Sequence, residues 1–301
     1  MGRLLHDEIR ETLGKLSAHG FPESDAHELL SRWLGVGRTE VRLHQNRELG
    51  QIEQQQLQDW VRRRLAGEPV QYNTGRAAFR HLDLAVDPRV LIPRPETEGL
   101  VESVLEVLQA ERERWPLPRV LDMGTGSGAI ALAIAQEWPL ASVHASDASD
   151  DALALAQRNA ATLGLGERVR FLHGDWYDAV GSDERFEVIV SNPPYIAEGE
   201  AGALPADVRE WEPHAALFGG PDGLEDLREI IEDAPRHLVA GGVLALELAE
   251  SRANEVAAWL DGAHDWASVQ LLDDLSGRPR VLLARRESGP AIAPAQWGEE
   301  R

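Results

Sequence analysis

The sequence predicts an α/β protein: a seven-stranded, mostly parallel sheet covered on both faces by helices, preceded by a small helical bundle and joined to it by a β-hairpin. Three observations carry that expectation. From about residue 96 onward, short β-branched runs alternate with helical ones, the pattern of a parallel sheet with crossover helices. Before residue 76 the apolar positions recur at helical spacing, and between these regions the period shortens to that of a strand. The expected division is a helical module over 1–75 that recognises a macromolecular substrate, a hairpin linker over 76–95, the α/β domain over 96–286 and a loose tail over 287–301.

In the module, Leu4, Leu5, Ile9, Leu13 and Leu16 share a helical face, as do His27, Leu29, Leu30, Trp33 and Leu34. Ser24-Asp25 reads as an N-cap, Gly35 and Gly37 as stops, and a further helix runs over 53–65 and ends at Gly67. No strand pattern interrupts this region. In the linker Phe79, Leu82, Leu84 and Val86 approach period two, and Asp87-Pro88-Arg89 is expected to turn the chain before Val90-Leu91-Ile92. Pro93-Arg94-Pro95-Glu96-Thr97-Glu98 makes a stiff entry into the next helix, which carries Leu100, Val101, Val104, Leu105 and Leu108. Strands are expected over 119–123, 142–146, 169–173, 186–191, 242–248, 268–273 and 280–284, with helices over 129–137, 150–163, 224–238 and 252–260. A short turn around Ser276-Gly277 makes the last two strands an antiparallel pair at the sheet edge.

The 301 residues, 43% of them hydrophobic, suffice for one large domain and a smaller one. With no cysteine, disulfides, thiolate metal sites and cysteine nucleophiles are excluded. The ten histidines show no ligand spacing, so no metal is expected. No apolar run approaches the length of a membrane span, and the N-terminus lacks a signal-peptide core. Gly2 does not begin a myristoylation motif, because His6 stands where Ser or Thr is needed. A cytoplasmic protein is expected. The formal charge of −21 opposes non-specific attraction to a phosphate backbone, so direct binding to nucleic acid is not expected. Residues 1–75 hold ten Lys or Arg and eleven Asp or Glu, which leaves nearly all the acid excess to the larger domain. Lys15 is the only lysine, a composition that suits either a salt-rich cytoplasm or a GC-rich genome.

The chemistry centres on Ser191-Asn192-Pro193-Pro194-Tyr195-Ile196, which breaks off the apolar run Phe186-Glu187-Val188-Ile189-Val190. Two consecutive prolines fix φ, remove two backbone donors and keep the residue before each out of the helical region. The carbonyls of Asn192 and Pro193 are thereby left to face a pocket, beside the flat ring of Tyr195. An amide acceptor, a free carbonyl and an aromatic face suit a planar group that carries an NH2.

A second constellation begins with Val120-Leu121-Asp122-Met123-Gly124-Thr125-Gly126-Ser127-Gly128-Ala129, read as strand, glycine loop and helix start. It is not the dinucleotide fingerprint, because the third glycine comes one residue early. Asp147 ends the next strand, where a carboxylate can accept both hydroxyl protons of a ribose. Asp175-Trp176 follows the third strand, where a carboxylate and an indole can bracket an adenine ring. Together with the Asn-Pro-Pro-Tyr stretch, these strand ends outline one crevice.

That arrangement resembles the class I methyltransferases, which have a Rossmann-like fold and bind S-adenosylmethionine. The tetrapeptide is similar to that of enzymes acting on planar or conjugated nitrogen: adenine-N6 DNA enzymes, guanine-N2 ribosomal RNA enzymes and glutamine methyltransferases. Gly67-Glu68-Pro69-Val70-Gln71-Tyr72 and Leu91-Ile92-Pro93-Arg94-Pro95-Glu96-Thr97-Glu98 resemble the release factor glutamine methyltransferases (the HemK or PrmC family). Trp211-Glu212-Pro213 and Gly219-Gly220-Pro221-Asp222-Gly223-Leu224 fit the same family. The resemblance implies methylation of the glutamine in the Gly-Gly-Gln loop of class I peptide chain release factors, the proteins of translation termination. The alternatives are a nucleic-acid amino-methyltransferase acting on adenine N6 or guanine N2, and a ribosomal protein glutamine methyltransferase. That last group lacks the Pro-Arg-Pro-Glu-Thr-Glu run.

By the same resemblance, Asp122, Gly124, Thr125, Gly126, Ser127, Gly128, Asp147, Asp175, Trp176 and Asn192 would bind the cofactor. Asn192, Pro193, Pro194 and Tyr195 would bind the substrate. Catalysis would rest on Asn192 and Pro193 as acceptors for the two amide hydrogens and on Tyr195 packed against the amide plane. A monomer is expected. Two stretches depart from the family pattern, Glu247-Leu248-Ala249-Glu250-Ser251 and Asn73-Thr74-Gly75, and neither is expected to touch the methyl-transfer site.

Overall fold

The computed structural model describes residues 3–288 except 38 and 45, so Gly2 and most of the expected tail lie outside the described residues. Helices α1 (Leu5–Ala18), α2 (Glu23–Leu34), α3 (Gln51–Leu65) and α4 (Val70–Thr74) enclose Leu16, Leu29, Leu30, Leu57 and Val61. Pro22 occupies the N-cap position of α2 without a side-chain cap, so Ser24 and Asp25 fall inside its first turn. Asp25 has another partner there: its carboxylate accepts from Arg64 Nε at 2.7 Å. Strand pairing does occur in this region, contrary to the sequence reading. β1 (Arg3–Leu4) runs antiparallel to β2 (Glu48–Leu49), in a pairing too short to leave a period in the sequence.

The hairpin comprises β3 (Arg76–Phe79) and β4 (Leu82–Ala85), joined at Arg80-His81; the expected turn at Asp87-Pro88-Arg89 also forms, Val90 donating to the Asp87 carbonyl at 3.1 Å, but it follows the hairpin. The link at Arg80-His81 has a tertiary cause. Arg80 adopts φ 49°, and its guanidinium reaches Glu137 at 2.6 Å and Glu102 at 2.7 Å, while its amide donates to Glu98 at 2.9 Å. Residues 90–92 form no strand; Val90 and Ile92 are buried against Tyr72, Ala152 and Leu155, and the Tyr72 hydroxyl donates to the Val90 carbonyl at 2.5 Å.

After α5 (Pro95–Ala110) come β5 (Arg119–Met123), α6 (Ala129–Glu137), β6 (Ser142–Asp147), α7 (Asp150–Thr162), β7 (Val169–His173) and β8 (Phe186–Ser191). The chain continues through α8 (Ala206–Trp211), α9 (Glu225–His237), β9 (Leu238–Glu247), α10 (Glu250–Leu260), β10 (Trp266–Asp273) and β11 (Pro279–Arg286). The seven strands lie in the order β10-β11-β9-β8-β5-β6-β7, with β11 antiparallel to both neighbours and the rest parallel. β9 begins earlier than its sequence suggests, with an irregularity that takes the register from Phe186↔Leu238 to Val188↔Val243. One face of the sheet packs on α5 and α6 through Leu100, Val104, Leu132 and Ile134, and the other on α9 and α10 through Leu227, Ile230, Val256 and Leu260. No helix among the described residues is long and apolar enough to cross a membrane.

β5 lies between β6 and β8, so the chain order reverses beside it and a crevice opens at the carboxyl ends of these strands. Two ion pairs bring the helical module and linker to the rim of that crevice. Arg64 lies 3.6 Å from Asp207 of α8, and Arg94 lies 2.5 Å from the buried Glu212, whose other oxygen accepts from the Ile92 amide.

Candidate active site

The crevice holds two cavities that share a wall. The larger, about 420 Å³, is lined by Gly124, Gly126, Asp147, Asp175, Trp176, Asn192 and Pro194, together with Leu91, Asp226 and Ala216. The smaller, about 190 Å³, is lined by Arg94, Pro193, Tyr195, Leu204, Val208 and Leu217. Asn192, Pro194, Leu91 and Ala216 face both.

The floor of the larger cavity is the loop between β5 and α6. Gly124 takes φ 68°, and a β-carbon there would sit 3.6 Å from the Trp176 indole, so glycine both allows the turn and leaves the ring room. Asp147 at the end of β6 clamps the loop, one carboxylate oxygen accepting from the Gly126 amide and the other from the Ser149 amide, each at 2.9 Å. Burial raises the Asp147 pKa against the opposing pull of those two amides. Trp176 holds φ 35°, an uncommon value for a bulky residue, and its side chain lies beside Asp226 of α9.

Four residues assigned to this side from sequence stand behind the cavity wall. Thr125, Ser127 and Gly128 belong to the loop but face away, and Asp122 is fully buried beneath it. Asp122 accepts from the Thr125 hydroxyl at 2.6 Å and from the Ala131 amide at 3.1 Å, while its second oxygen has no partner among the described residues. Burial pushes its carboxyl up to about 7. Asn159 of α7, which the sequence did not single out, donates to the Ser127 carbonyl at 2.9 Å and exchanges two bonds with Ala85, tying the loop to the hairpin.

The smaller cavity is built around the proline-stiffened turn after β8. Ser191 anchors the turn by donating to the Met123 carbonyl at 2.8 Å, which sets the Asn-Pro-Pro-Tyr stretch beside the glycine loop. Beyond it the chain pairs with the 217–219 segment, Ile196 donating to Leu217 and Gly219 to Ile196. A β-carbon on Gly219 would meet the Pro194 carbonyl oxygen at 2.4 Å, so this approach requires the glycine. No hydrogen bond within the described residues ends on the Pro193 carbonyl.

The Asn192 side chain donates from Nδ2 to Thr97 Oγ1 at 3.2 Å, and its Oδ1 accepts no bond within the described residues. The Tyr195 hydroxyl lies 3.5 Å from Glu247 Oε1, at the outer limit of a hydrogen bond, and burial pushes the phenol up to about 12. Glu247 therefore belongs to the surroundings of the tetrapeptide, contrary to the expectation that its segment lies apart. Asn73, by contrast, is buried in the helical module, where its side chain donates to the Trp60 carbonyl at 2.7 Å. Thr97, Arg94 and Glu212 carry no catalytic signature of their own; their only signal was membership in the stretches that mark the family.

Known proteins resemble this chain along most of its length. Residues 102–205 match the family model of the methyltransferase small domain, and residues 8–75 match that of the PrmC N-terminal domain. Proteins named release factor glutamine methyltransferase include one from Koribacter versatilis, 41% identical over 88% of this chain and 91% of its own length. That of Caulobacter vibrioides is 42% identical over 91% of this chain and 92% of its own, and that of Salmonella typhimurium 40% identical over 92% and 97%. Among solved structures, the hMettl16 catalytic domain in complex with MAT2A 3'UTR hairpin 6 aligns with a TM-score of 0.56 and 16% identity, over 78% of this chain and 84% of that one. This last likeness bears on the class I methyltransferase fold alone. With relatives this similar over nearly their whole length, the chain belongs to the release factor glutamine methyltransferase family.

Proposed function

We infer that this chain transfers a methyl group from S-adenosylmethionine to the side-chain amide nitrogen of the glutamine in the Gly-Gly-Gln motif of class I peptide chain release factors. One observation carries the reading: Asn192 faces both cavities, with its amide nitrogen engaged by Thr97 and its acceptor oxygen free.

The larger cavity suits the cofactor. Gly124 leaves space beside the Trp176 ring, which can stack on adenine, and the Asp147 carboxylate can accept from ribose hydroxyls. Asp175 and Asn192 complete that wall, while Asp122, Thr125, Ser127 and Gly128 hold the loop in shape. When bound, the cofactor supplies an electrophilic methyl group on a sulfonium.

A carboxamide nitrogen is a weak nucleophile because its lone pair is delocalised into the carbonyl. Asn192 Oδ1 and the Pro193 carbonyl would accept its two hydrogens, which moves electron density onto nitrogen and aims it across the shared wall. Tyr195 would pack on the amide plane, and Pro194, Leu91 and Ala216 would keep water from the junction. The nitrogen grows acidic as it is alkylated, so these neutral acceptors suffice and no strong base is needed.

The helical module over 1–75 would receive the body of the release factor, since the smaller cavity can read only a glutamine and its nearest neighbours. On this reading the protein works as a cytoplasmic monomer on a protein partner. The charge of −21 speaks against a nucleic-acid one. The test is mass spectrometry of a release factor incubated with this protein and isotopically labelled cofactor. One labelled methyl on the Gly-Gly-Gln glutamine is expected, and label found only in added DNA or RNA would overturn the assignment.

A further inference from the structure

Behind Asn192 the buried polar groups continue past Thr97 to Glu247, a carboxylate that the reaction just described does not use. Thr97, in the first turn of α5, is 5% exposed, and Glu247, at the end of β9, is 1% exposed. The Thr97 hydroxyl lies beside the Glu247 carboxylate, whose Oε2 is buried without a hydrogen-bond partner among the described residues, and Asn192 Nδ2 donates to Thr97 Oγ1 at 3.2 Å. Three segments far apart in sequence thus meet in one line leading to the acceptor cavity.

We propose that Glu247 and Thr97 are positioning residues that set which end of the Asn192 carboxamide faces the substrate. The reasoning rests on the direction of each hydrogen bond. A carboxylate only accepts, so toward the buried Glu247 oxygens the Thr97 hydroxyl can act only as donor. The threonine oxygen is then left as an acceptor, and only the NH2 end of Asn192 can satisfy it. Oδ1 is thereby turned toward the cavity, where an incoming amide offers N–H groups. Reversing the chain at Glu247 would let Thr97 donate to Oδ1 and turn the Asn192 NH2 group against the NH2 of the substrate. The two ends of an asparagine side chain are nearly equal in shape, so packing alone does not choose between them. A buried anion does.

The inference rests on the functional reading above and adds a sensitivity to protonation. Glu247 is faced by Arg280 of β11, which favours the anion, by Glu96 of α5, which opposes it, and by the Tyr195 hydroxyl; Arg280 is itself 3.8 Å from Asp274. Burial is the largest influence and raises the Glu247 pKa above the ordinary carboxylate range. Activity should therefore be lost as pH falls through the Glu247 pKa, because the protonated acid no longer compels Thr97 to donate toward it.

The experiment measures methylation of an intact release factor by Glu247→Gln, Thr97→Val and Thr97→Ser, with cofactor affinity by calorimetry as the check on folding. Glu247→Gln and Thr97→Val should each lower kcat by about tenfold or more, with KM and cofactor affinity within about threefold of wild type. Thr97→Ser keeps the hydroxyl and should restore kcat to within about threefold. The acid limb of the pH profile should be absent in Glu247→Gln. Wild-type kcat in both Glu247→Gln and Thr97→Val, in a protein that methylates its release factor normally, would overturn the relay and leave the function standing. Equal losses in Thr97→Ser and Thr97→Val would also overturn it, as would an acid limb unchanged in Glu247→Gln. A wild type that leaves the release factor unmodified would overturn the functional reading and the relay with it.

Discussion

The two cavities that meet at Asn192 are built by different means. The larger takes its floor from the ends of adjacent strands β5, β6 and β7, each contributing a short local motif, while Leu91, Asn192, Ala216 and Asp226 close it from more distant segments. The smaller is assembled from the linker at Leu91 and Arg94, the turn after β8, and the 204–217 segment. Its supports are long-range pairs: Arg94 with Glu212, Asn192 with Thr97, and the Gly219 backbone against the Pro194 carbonyl. A site for a common cofactor can be a local property of a fold. A site that must distinguish one amide among many is made by bringing distant segments together.

This contrast is tested most severely at the shared wall. Asn192→Ala should reduce single-turnover methylation by about 3–4 kcal/mol of barrier, a rate loss on the order of 10²–10³. Cofactor affinity should fall much less, because Gly124, Asp147 and Trp176 remain. Comparable losses in both quantities would show that the cavities are one unit rather than two.

The next effect lies under the glycine loop. The carboxyl of Asp122 is raised to about 7 by burial, so the folded protein holds a proton there that the unfolded chain has already released above the ordinary aspartate range. Stability from this group is full below the ordinary aspartate range and is lost as pH rises to about 7, a change on the order of 4 kcal/mol. Urea unfolding should show a steeper fall with pH in wild type than in Asp122→Asn, where Asp147, Glu212 and Glu247 still contribute. Parallel pH profiles would remove Asp122 from the account of the loop.

A smaller loss is expected on the cofactor side alone. Asp147→Ala removes a charged acceptor and the clamp on the Gly126 amide, and should weaken cofactor binding by about 1.5–3 kcal/mol in calorimetry. Unchanged affinity would move the ribose elsewhere. The smallest effect concerns neither cavity. Screening the acid excess with molar potassium chloride should raise stability by about 1 kcal/mol, roughly 2–4 °C in Tm. A flat or falling melting curve would leave genome composition as the reason Lys15 stands alone.

The same division governs how much of the molecule could be read from its residues. The parallel strands, their crossover helices and the glycine loop were legible because each depends on a run of neighbours: Val-Ile-Val before a break, three glycines before a helix. The hairpin turn was not, since Arg80 is held at its unusual φ by carboxylates on α5 and α6, whose approach no local pattern encodes. The partners of Asn192 were missed for a similar reason. Thr97 stood inside a stretch that marks the family, yet nothing about a threonine in the first turn of a helix announces that its oxygen faces an asparagine 95 residues away. Glu247 was set aside because its neighbours depart from the family pattern, whereas its own position at the end of β9 puts its side chain beside Tyr195.

The central claim is that the methyl donor occupies the glycine-loop cavity, the target amide the smaller one, and that Asn192 and Pro193 hold the amide between them. A crystal structure of the protein with S-adenosylhomocysteine and a Gly-Gly-Gln-containing release factor tests this most directly. The account predicts the sulfur on the larger-cavity side of the shared wall, with the glutamine NH2 donating to Asn192 Oδ1 and the Pro193 carbonyl. A glutamine side chain bound away from Pro193 and Tyr195, or an Asn192 that presents its NH2 group to the substrate, would contradict it.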